Sequence, residues 1–288
     1  MLTRVATTPA ASHPGESLTA HIGCSLPEAF AATRRGHHVW FDDGKLGGVA
    51  EAVDRDSIAL RITSAGPKGS KLRAGKGINL PDAVLDIDLL GSHSTDALRF
   101  ATECADIVGL SFVSCAHDVQ RVSDYLDQHA RTDLGIILKI ETRRAVEDLA
   151  GILLAALGGK RPAGVMIARG DLAVECGYER LAEIQEEILW LCQAAHLPVI
   201  WATQVLDQLA KTGRPSRAEI TDAAMGERAE CVMLNKGPQI VEAISVLDDI
   251  LRRMDRHHRK QRSLLPQLQA ADYLHTDPGA AHAGQAEV

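Results

Sequence analysis

The sequence predicts an α/β protein in which a small β region precedes a series of β/α units. Five apolar runs recur along the second part of the chain, at residues 106–113, 134–141, 163–171, 198–204 and 229–237. These runs do not alternate with polar residues, which is typical of strands covered on both faces and therefore of a parallel sheet. Amphipathic segments separate them; one has an apolar stripe of Leu181, Ile184, Ile188 and Leu191. Five successive units predict a (β/α) barrel or a doubly wound sheet.

The chain divides into four regions by composition. Residues 1–20 are rich in Ala, Thr, Ser and Pro and predict a poorly ordered leader. Residues 21–82 hold short segments separated by Gly, Asp and Pro, and "VWFDDGK" predicts a hairpin because Asp-Gly supplies the positive φ of its turn. Residues 83–260 contain the β/α units. Residues 261–288 lose periodicity and predict a disordered tail.

Charge and composition exclude several classes of function. The 288 residues carry a net charge of -7 without a basic tract, so nucleic-acid binding is not expected. Six cysteines at irregular spacing, with no Cys-x-x-Cys pair, indicate reduced core residues rather than zinc ligands. No apolar run approaches the ~20 residues that cross a bilayer, and the N-terminus lacks the pattern of a secretory signal. We therefore expect a soluble, cytoplasmic protein.

Polar residues lie at the carboxyl ends of the apolar runs, where function collects in folds of this kind. In chain order they are Ser111, Lys139 and Glu141, Arg169 and Asp171, Thr203, and Asn235 and Lys236. Residues two apart in a strand share a face, so each of two neighbouring strands is expected to present a cation and a carboxylate to one rim.

Two carboxylates on one rim are suitable ligands for Mg²⁺, which takes one or two carboxylates together with water and substrate oxygens. A lysine beside the metal can offset negative charge on a transferring phosphoryl group or an enolate. Gly170, which precedes Asp171, would let main-chain amides approach an anion. Charged strand ends also form purely structural ion pairs, and the spacing alone does not decide between the two.

The order of seven segments resembles the pyruvate kinase family, from about residue 39 to residue 250. The segments are "KGINLPD", "GLSFV", "ILKIET", "VMIARGDLAVE", "PVIWATQVLD", "GRPSRAEITDAA" and "AECVML". The resemblance implies a partial (β/α)8 TIM barrel that contains strands four to eight. It also implies that "DDG" and "KGINLP" belong to a small β-barrel-like lid domain.

The same resemblance implies roles for residues at the strand ends. Lys139 matches the lysine that stabilises the transferring phosphoryl group and the enolate, and Thr203 matches the threonine near the carbon that is protonated. Glu141 and Asp171 match the ligands of Mg²⁺ or Mn²⁺.

Substrate and nucleotide contacts are implied in the same way. Ala168, Arg169 and Gly170 match the loop that holds the carboxylate end of the substrate, and Lys76 matches the lid lysine that reaches the phosphates of ADP or ATP. The segment "GSKLRAGKG" around Lys76 is not a phosphate-binding loop by its own pattern, because the gap between glycines is one residue too long and Gly77 replaces Ser or Thr. An ordinary hairpin is the alternative for this segment.

The sequence departs from the family in two places. The first three barrel strands of the family have no counterpart, and neither do its phosphate-binding arginine and its monovalent-cation ligands, so a monovalent-cation site is not expected. Five strands cannot close an eight-stranded barrel. At the eighth strand, Asn235, Lys236 and Pro238 replace the family's serine, glutamate and threonine.

Three functions are compatible with these observations. The first is a phosphotransferase that moves phosphate from phosphoenolpyruvate to ADP and yields pyruvate and ATP. The second is a Mg²⁺-dependent lyase or decarboxylase that acts through a pyruvate enolate. The third is a catalytically silent chain that needs a partner chain; the expected assembly is a homo-oligomer or a complex with that partner.

Overall fold

The computed structural model describes residues 1–4, 20–67, 69–73, 75–85 and 87–258. Most of the predicted leader and the whole predicted tail lie outside these residues. The chain forms two compact units. Unit 1 comprises Met1–Asp88 with Val174–Cys176, and unit 2 comprises Leu89–Ala173 and the chain from Gly177 onward.

Unit 1 is built on a six-stranded sheet with the strand order β2-β1-β5-β4-β3-β6. Its strands are β1 (Leu2–Thr3), β2 (Ile22–Gly23), β3 (His38–Phe41), β4 (Leu46–Val53), β5 (Ser57–Ala65) and β6 (Ile78–Asn79), and helix α1 spans Pro27–Ala32. The predicted hairpin joins β3 to β4 through Asp42, Asp43 and Gly44, all with positive φ.

The first strand of unit 1 corrects one expectation. Leu2 and Thr3, which the sequence assigned to a poorly ordered leader, pair with both β2 and β5. Leu2 is 1% exposed and packs in a core with Phe30, Val39 and Ile58. A two-residue strand carries no periodicity of its own, so only its partners define it.

Unit 2 contains a five-stranded parallel sheet in which the strands follow one another in chain order. The strands are β7 (Ile107–Leu110), β8 (Gly135–Ile140), β9 (Ala163–Ala168), β10 (Val199–Val205) and β11 (Cys231–Leu234). All five predicted strands are present. A doubly wound sheet would reverse its strand order at a switch point, so the unbroken order identifies an arc of a (β/α) barrel.

Helices connect and cover these strands. They are α2 (Ser92–Cys104), α3 (Ala116–Gln128), α4 (Arg143–Glu147), α5 (Leu149–Gly158), α6 (Arg169–Cys176), α7 (Leu181–Ala194), α8 (Asp207–Thr212), α9 (Arg217–Met225) and α10 (Ile240–His258). Helix α7 packs on β9, and α9 packs on β10. None of the described helices is long and apolar enough to cross a membrane.

The two faces of this sheet differ in burial. Ile136, Leu138, Ile140, Val165 and Ile167 share one face, and all of them are buried. The opposite face carries Lys139, and we call it the Lys139 face.

On the Lys139 face, the row of side chains across the strands is only partly covered. Ile137, Met166 and Ile200 are half-buried, whereas Ile107 and Met233 on the outer strands are 62% and 37% exposed. The expectation that both faces are covered is therefore correct for one face only among the described residues. In a closed barrel this face would be the packed interior.

Candidate active site

Lys139 and Glu141 meet at the end of β8, as the sequence predicts. The Nζ atom of Lys139 lies 3.1 Å from Oε2 of Glu141 and donates a hydrogen bond of 2.7 Å to Oγ of Ser111, which follows β7. The side chain of Glu141 is 2% exposed and that of Lys139 is 26% exposed. The lysine is thus held by two neighbouring strand ends, yet its ammonium still reaches solvent.

The loop after β7 fixes the other oxygen of Glu141. The backbone N–H of Phe112 donates to Oε1 at 2.6 Å, and Phe112 has a φ of +58°. This left-handed conformation is uncommon outside glycine. The sequence places Ser111 at a strand end but does not indicate Phe112, because Phe112 contributes through its backbone and leaves no trace in the side-chain pattern.

Burial raises the pKa of Glu141 above its ordinary value, and the negative charge of Asp171 acts in the same direction. The Phe112 N–H and Lys139 oppose this rise. The charge of Asp171 therefore interacts with the Glu141 carboxylate, and a shared metal ion at these two residues stays a prediction. A divalent cation between them would offset both the burial and the repulsion.

Asp171 reaches this position in a different way from the one expected. Strand β9 ends at Ala168, and Arg169, Gly170 and Asp171 form the first turn of α6. Residues two apart on a helix point in different directions, so the prediction that Arg169 and Asp171 share a face was wrong. In the first turn, the charge of Asp171 interacts favourably with the helix dipole.

The Arg169 side chain turns into the protein and is 8% exposed. It forms an ion pair with Asp222 of α9, and its guanidinium carbon lies 4.4 Å from the centre of the Trp201 ring. Its Nε also donates to the carbonyl of Ala202 at 2.8 Å. The guanidinium therefore contacts β10 and α9, and the substrate-binding role of Ala168, Arg169 and Gly170 stays a prediction.

Thr203 lies next to this turn, because its Oγ1 accepts a hydrogen bond of 2.9 Å from the N–H of Gly170. Its φ is +66°, and Gln204 and Leu206 are also left-handed, with φ values of +57° and +47°. A positive φ is a genuine outlier for a β-branched residue such as threonine. Such strain costs about 1–3 kcal/mol per residue and clusters at functional sites.

The divergent end of β11 makes a local contact instead. Nδ2 of Asn235 donates to Oδ1 of Asp207 on α8. Asp207 also pairs with Lys211 at 2.8 Å. Asn235 therefore joins the end of β11 to α8, the helix that follows β10. The sequence did not reveal this structural role.

Lys76 lies in unit 1 and pairs with a turn residue there. Its Nζ is 2.9 Å from Oδ1 of Asp42, and Lys45 is 3.1 Å from the other oxygen of the same carboxylate. Hydrogen bonds from both lysines lower the pKa of Asp42, and the bond from Lys76 has the larger effect. The nucleotide-binding role of Lys76 stays a prediction.

The predicted metal ligands are two carboxylates, Glu141 and Asp171. No group of three or more His, Cys, Asp or Glu side chains in the described part of the chain could hold a metal ion. Mg²⁺ and Mn²⁺ do not require three, since Mg²⁺ usually keeps several waters and takes one or two carboxylates. Glu141 and Asp171 fit such an ion because both are carboxylate oxygen donors. A bound cation would also offset the repulsion between their two negative charges.

Comparison with known proteins identifies the family. A family model described as the barrel domain of pyruvate kinase matches residues 4–238. The chain belongs to the pyruvate kinase family. The resemblance of the seven segments is thereby confirmed, and the five-stranded arc of unit 2 is part of a pyruvate kinase barrel.

Several curated pyruvate kinases are similar to the chain. The one from Agrobacterium vitis is 33% identical over an alignment of 288 positions, which covers 96% of this chain and 56% of that protein. The one from Methanocaldococcus jannaschii is 30% identical over an alignment of 233 positions, which covers 78% of this chain and 49% of that protein. Human pyruvate kinase PKLR is 33% identical over an alignment of 252 positions, which covers 84% of this chain and 42% of that protein. The chain thus spans about half the length of the curated pyruvate kinases it matches.

Proposed function

We propose that the chain carries a pyruvate kinase-type site that transfers the phosphoryl group of phosphoenolpyruvate to ADP. One observation supports this function above the others. A lysine, held by Ser111 and Glu141, stands beside a buried carboxylate that faces the charge of Asp171. A purely structural ion pair gains nothing from a second carboxylate, whereas phosphoryl transfer needs both a cation and metal ligands.

Lys139 supplies the positive charge in this proposal. Its two contacts restrict its rotamers, and its partial exposure lets the ammonium meet a ligand. Negative charge grows on the transferring phosphoryl group and on the enolate oxygen, and a preorganised cation stabilises that charge more than the ground state.

Glu141 and Asp171 would hold the Mg²⁺ or Mn²⁺ ion that neutralises phosphate oxygens when it is bound. The N–H of Phe112 keeps one oxygen of Glu141 in place. The position of Asp171 depends on the first turn of α6, which begins with Arg169 and Gly170 of the proposed substrate loop, directly after Ala168 at the end of β9.

Thr203 acts at the second stage, when the enolate becomes pyruvate by taking a proton on carbon. Its Oγ1 accepts from Gly170 and can donate its own proton toward the substrate or an intervening water. Lys76 would contact the phosphates of ADP after exchanging its pairing with Asp42.

A second candidate, the catalytically silent chain, is favoured by the partly uncovered Lys139 face. Ile107 on this face is 62% exposed, although parallel strands are normally covered on both sides. In this second candidate, the chain is silent by itself. It becomes active only in an assembly that covers the Lys139 face, either a homo-oligomer or a complex with a partner chain. A cytoplasmic location stays a prediction from the sequence.

A coupled assay for pyruvate and ATP tests the proposal, with Lys139→Met as the inactivating variant and the exposed Lys160→Met as its control. Equal amounts of pyruvate and ATP, lost in Lys139→Met and kept in Lys160→Met, would support the phosphotransferase. Pyruvate formed from a keto acid without ATP would indicate the lyase or decarboxylase. No turnover by the purified chain, together with association in light scattering, would favour the silent chain.

A further inference from the structure

A buried polar network lies directly beneath Thr203. The Arg169 guanidinium donates through Nε to the carbonyl of Ala202 at 2.8 Å and through Nη2 to the carbonyl of Thr203 at 2.6 Å. Its face stacks on Trp201, and both of its terminal nitrogens contact the carboxylate of Asp222, Nη2 at 2.9 Å. One side chain thus binds two successive carbonyls of the segment in which Thr203 lies.

These two carbonyls lie where β10 leaves its regular strand conformation. Ala202 is the last residue of β10 in register with β9, and the pairing with β11 shifts between Trp201 and Val205. Thr203 and Gln204 then take left-handed φ values. A strained β-branched residue persists only where its surroundings determine its conformation, and Arg169 contacts this backbone at two successive carbonyls.

Asp222 determines where the guanidinium of Arg169 lies. A cation that is 8% exposed needs a partner, and a carboxylate that meets both terminal nitrogens fixes the guanidinium plane as well as its charge. Asp222 is itself fixed, because α9 begins with a capping box in which Ser216 and Glu219 bind each other's backbone N–H groups.

We propose that Asp222 is a positioning residue for Thr203 and acts through Arg169. It keeps the carbonyls of Ala202 and Thr203 in the left-handed turn, and this turn places Oγ1 of Thr203 where the Gly170 N–H donates to it at 2.9 Å. The structural part of this inference stands by itself. Only its catalytic consequence rests on the proposed function.

Hydrogen exchange measured by mass spectrometry tests the structural part without any need for turnover. Asp222→Asn keeps the shape of the side chain but removes its charge. Exchange in residues 199–206 and 168–172 should rise about tenfold or more, because the buried Arg169 loses its charged partner and the turn is free to open locally. The matched control is Asp249→Asn, which removes an exposed pair with Arg253 on α10 and should leave both segments unchanged.

Two further variants separate positioning from general stability. Asp222→Glu keeps the charge and should hold exchange within about threefold of the unmodified protein, since a charged partner remains for Arg169. In a Thr203→Val background, which lacks the acceptor for the Gly170 N–H, Asp222→Asn should add less than about twofold to exchange in residues 168–172, because residues that act through one contact are not additive.

Unchanged exchange in residues 199–206 of Asp222→Asn would overturn the proposal. An equal rise in β8, residues 135–140, would overturn it too, because that result means general loosening of the unit. If Asp222→Asn does not fold, Arg169→Lys provides the same test: it keeps a positive charge but cannot bind a carboxylate and two carbonyls together, so the same local rise is expected.

Kinetics of the active assembly then test the catalytic consequence. Asp222→Asn should lower kcat about 10²-fold, as small misplacements of reacting groups do, with less than about a threefold change in KM for phosphoenolpyruvate. A local exchange response without pyruvate formation by the unmodified protein would refute the proposed function and leave the positioning role standing. Pyruvate formation with unchanged exchange would refute the positioning role alone.

Discussion

Removal of the Lys139 ammonium should destabilise the protein because it leaves the Glu141 carboxylate without its cation. The two charged groups are 3.1 Å apart, which corresponds to a gross attraction of about 5 kcal/mol at an effective dielectric constant of about 20. Breaking a buried pair costs about 3–5 kcal/mol. Lys139 is 26% exposed and the Phe112 N–H still donates to Glu141, so we expect Lys139→Met to lose about 2–3 kcal/mol of unfolding free energy at pH 8.

The loss of unfolding free energy in Lys139→Met should be larger at high pH than at low pH. Burial already raises the pKa of Glu141 from its ordinary value of 4.5, and removal of Lys139 raises that pKa further. An acid whose pKa is higher in the folded state than in the unfolded state destabilises the folded state once it ionises. The loss of unfolding free energy is therefore complete above the pKa of Glu141 in the folded state. It disappears as the pH falls below the pKa of Glu141 in the unfolded chain, because Glu141 is then protonated in both states.

Urea denaturation followed by circular dichroism at pH 8 and pH 5 measures this effect. Lys139→Met should be clearly less stable than the unmodified protein at pH 8 and closer to it at pH 5. Lys139→Met combined with Glu141→Gln should recover much of the loss at pH 8, since no buried charge remains, and Lys160→Met should be neutral. The reasoning fails if the double variant is no more stable than Lys139→Met, or if the loss is the same at both pH values.

Three other outcomes are expected. Asp171→Asn should weaken Mn²⁺ binding more than about tenfold in isothermal titration, because a carboxylate ligand is lost; an equal loss in the exposed Glu147→Gln would show that the ion binds elsewhere. Gly226→Ala should lower stability by about 1 kcal/mol or more in thermal unfolding, because the added Cβ would lie 3.0 Å from Cγ2 of Val232 and 3.2 Å from Cδ1 of Trp201, which is fully buried and has no room to move; an unchanged melting temperature contradicts this. Ile107→Lys should reduce association of the isolated chain in light scattering, since it places a charge on the exposed Lys139 face; undiminished association would mean that another surface mediates it.

The local sequence determined the strands of the sheet and the residues at their ends. Continuous apolar runs predicted all five strands of unit 2, because burial selects for apolar side chains whatever the partners of a strand are. The prediction that Lys139 and Glu141 share a rim was confirmed, because alternation along an extended chain is a local property. The hairpin through Asp42 and Gly44 was predictable for the same reason.

Other features depended on the tertiary structure. The run 163–171 has no signal where strand changes to helix, so the directions of Arg169 and Asp171 were predicted wrongly. Strand β1, at Leu2–Thr3, exists only through its pairing with β2 and β5. The strand order, which distinguishes a barrel arc from a doubly wound sheet, is a property of pairing between distant segments.

The support of Thr203 shows the physical reason most clearly. Its left-handed backbone is held by Arg169, and Arg169 is held by Asp222, which lies 53 positions further along the chain. Side-chain pattern reports only which residues prefer burial and which secondary structure they favour. An ion pair between distant residues and a strained φ are set by the packing of α9 against β10, so they arise only when the chain has folded.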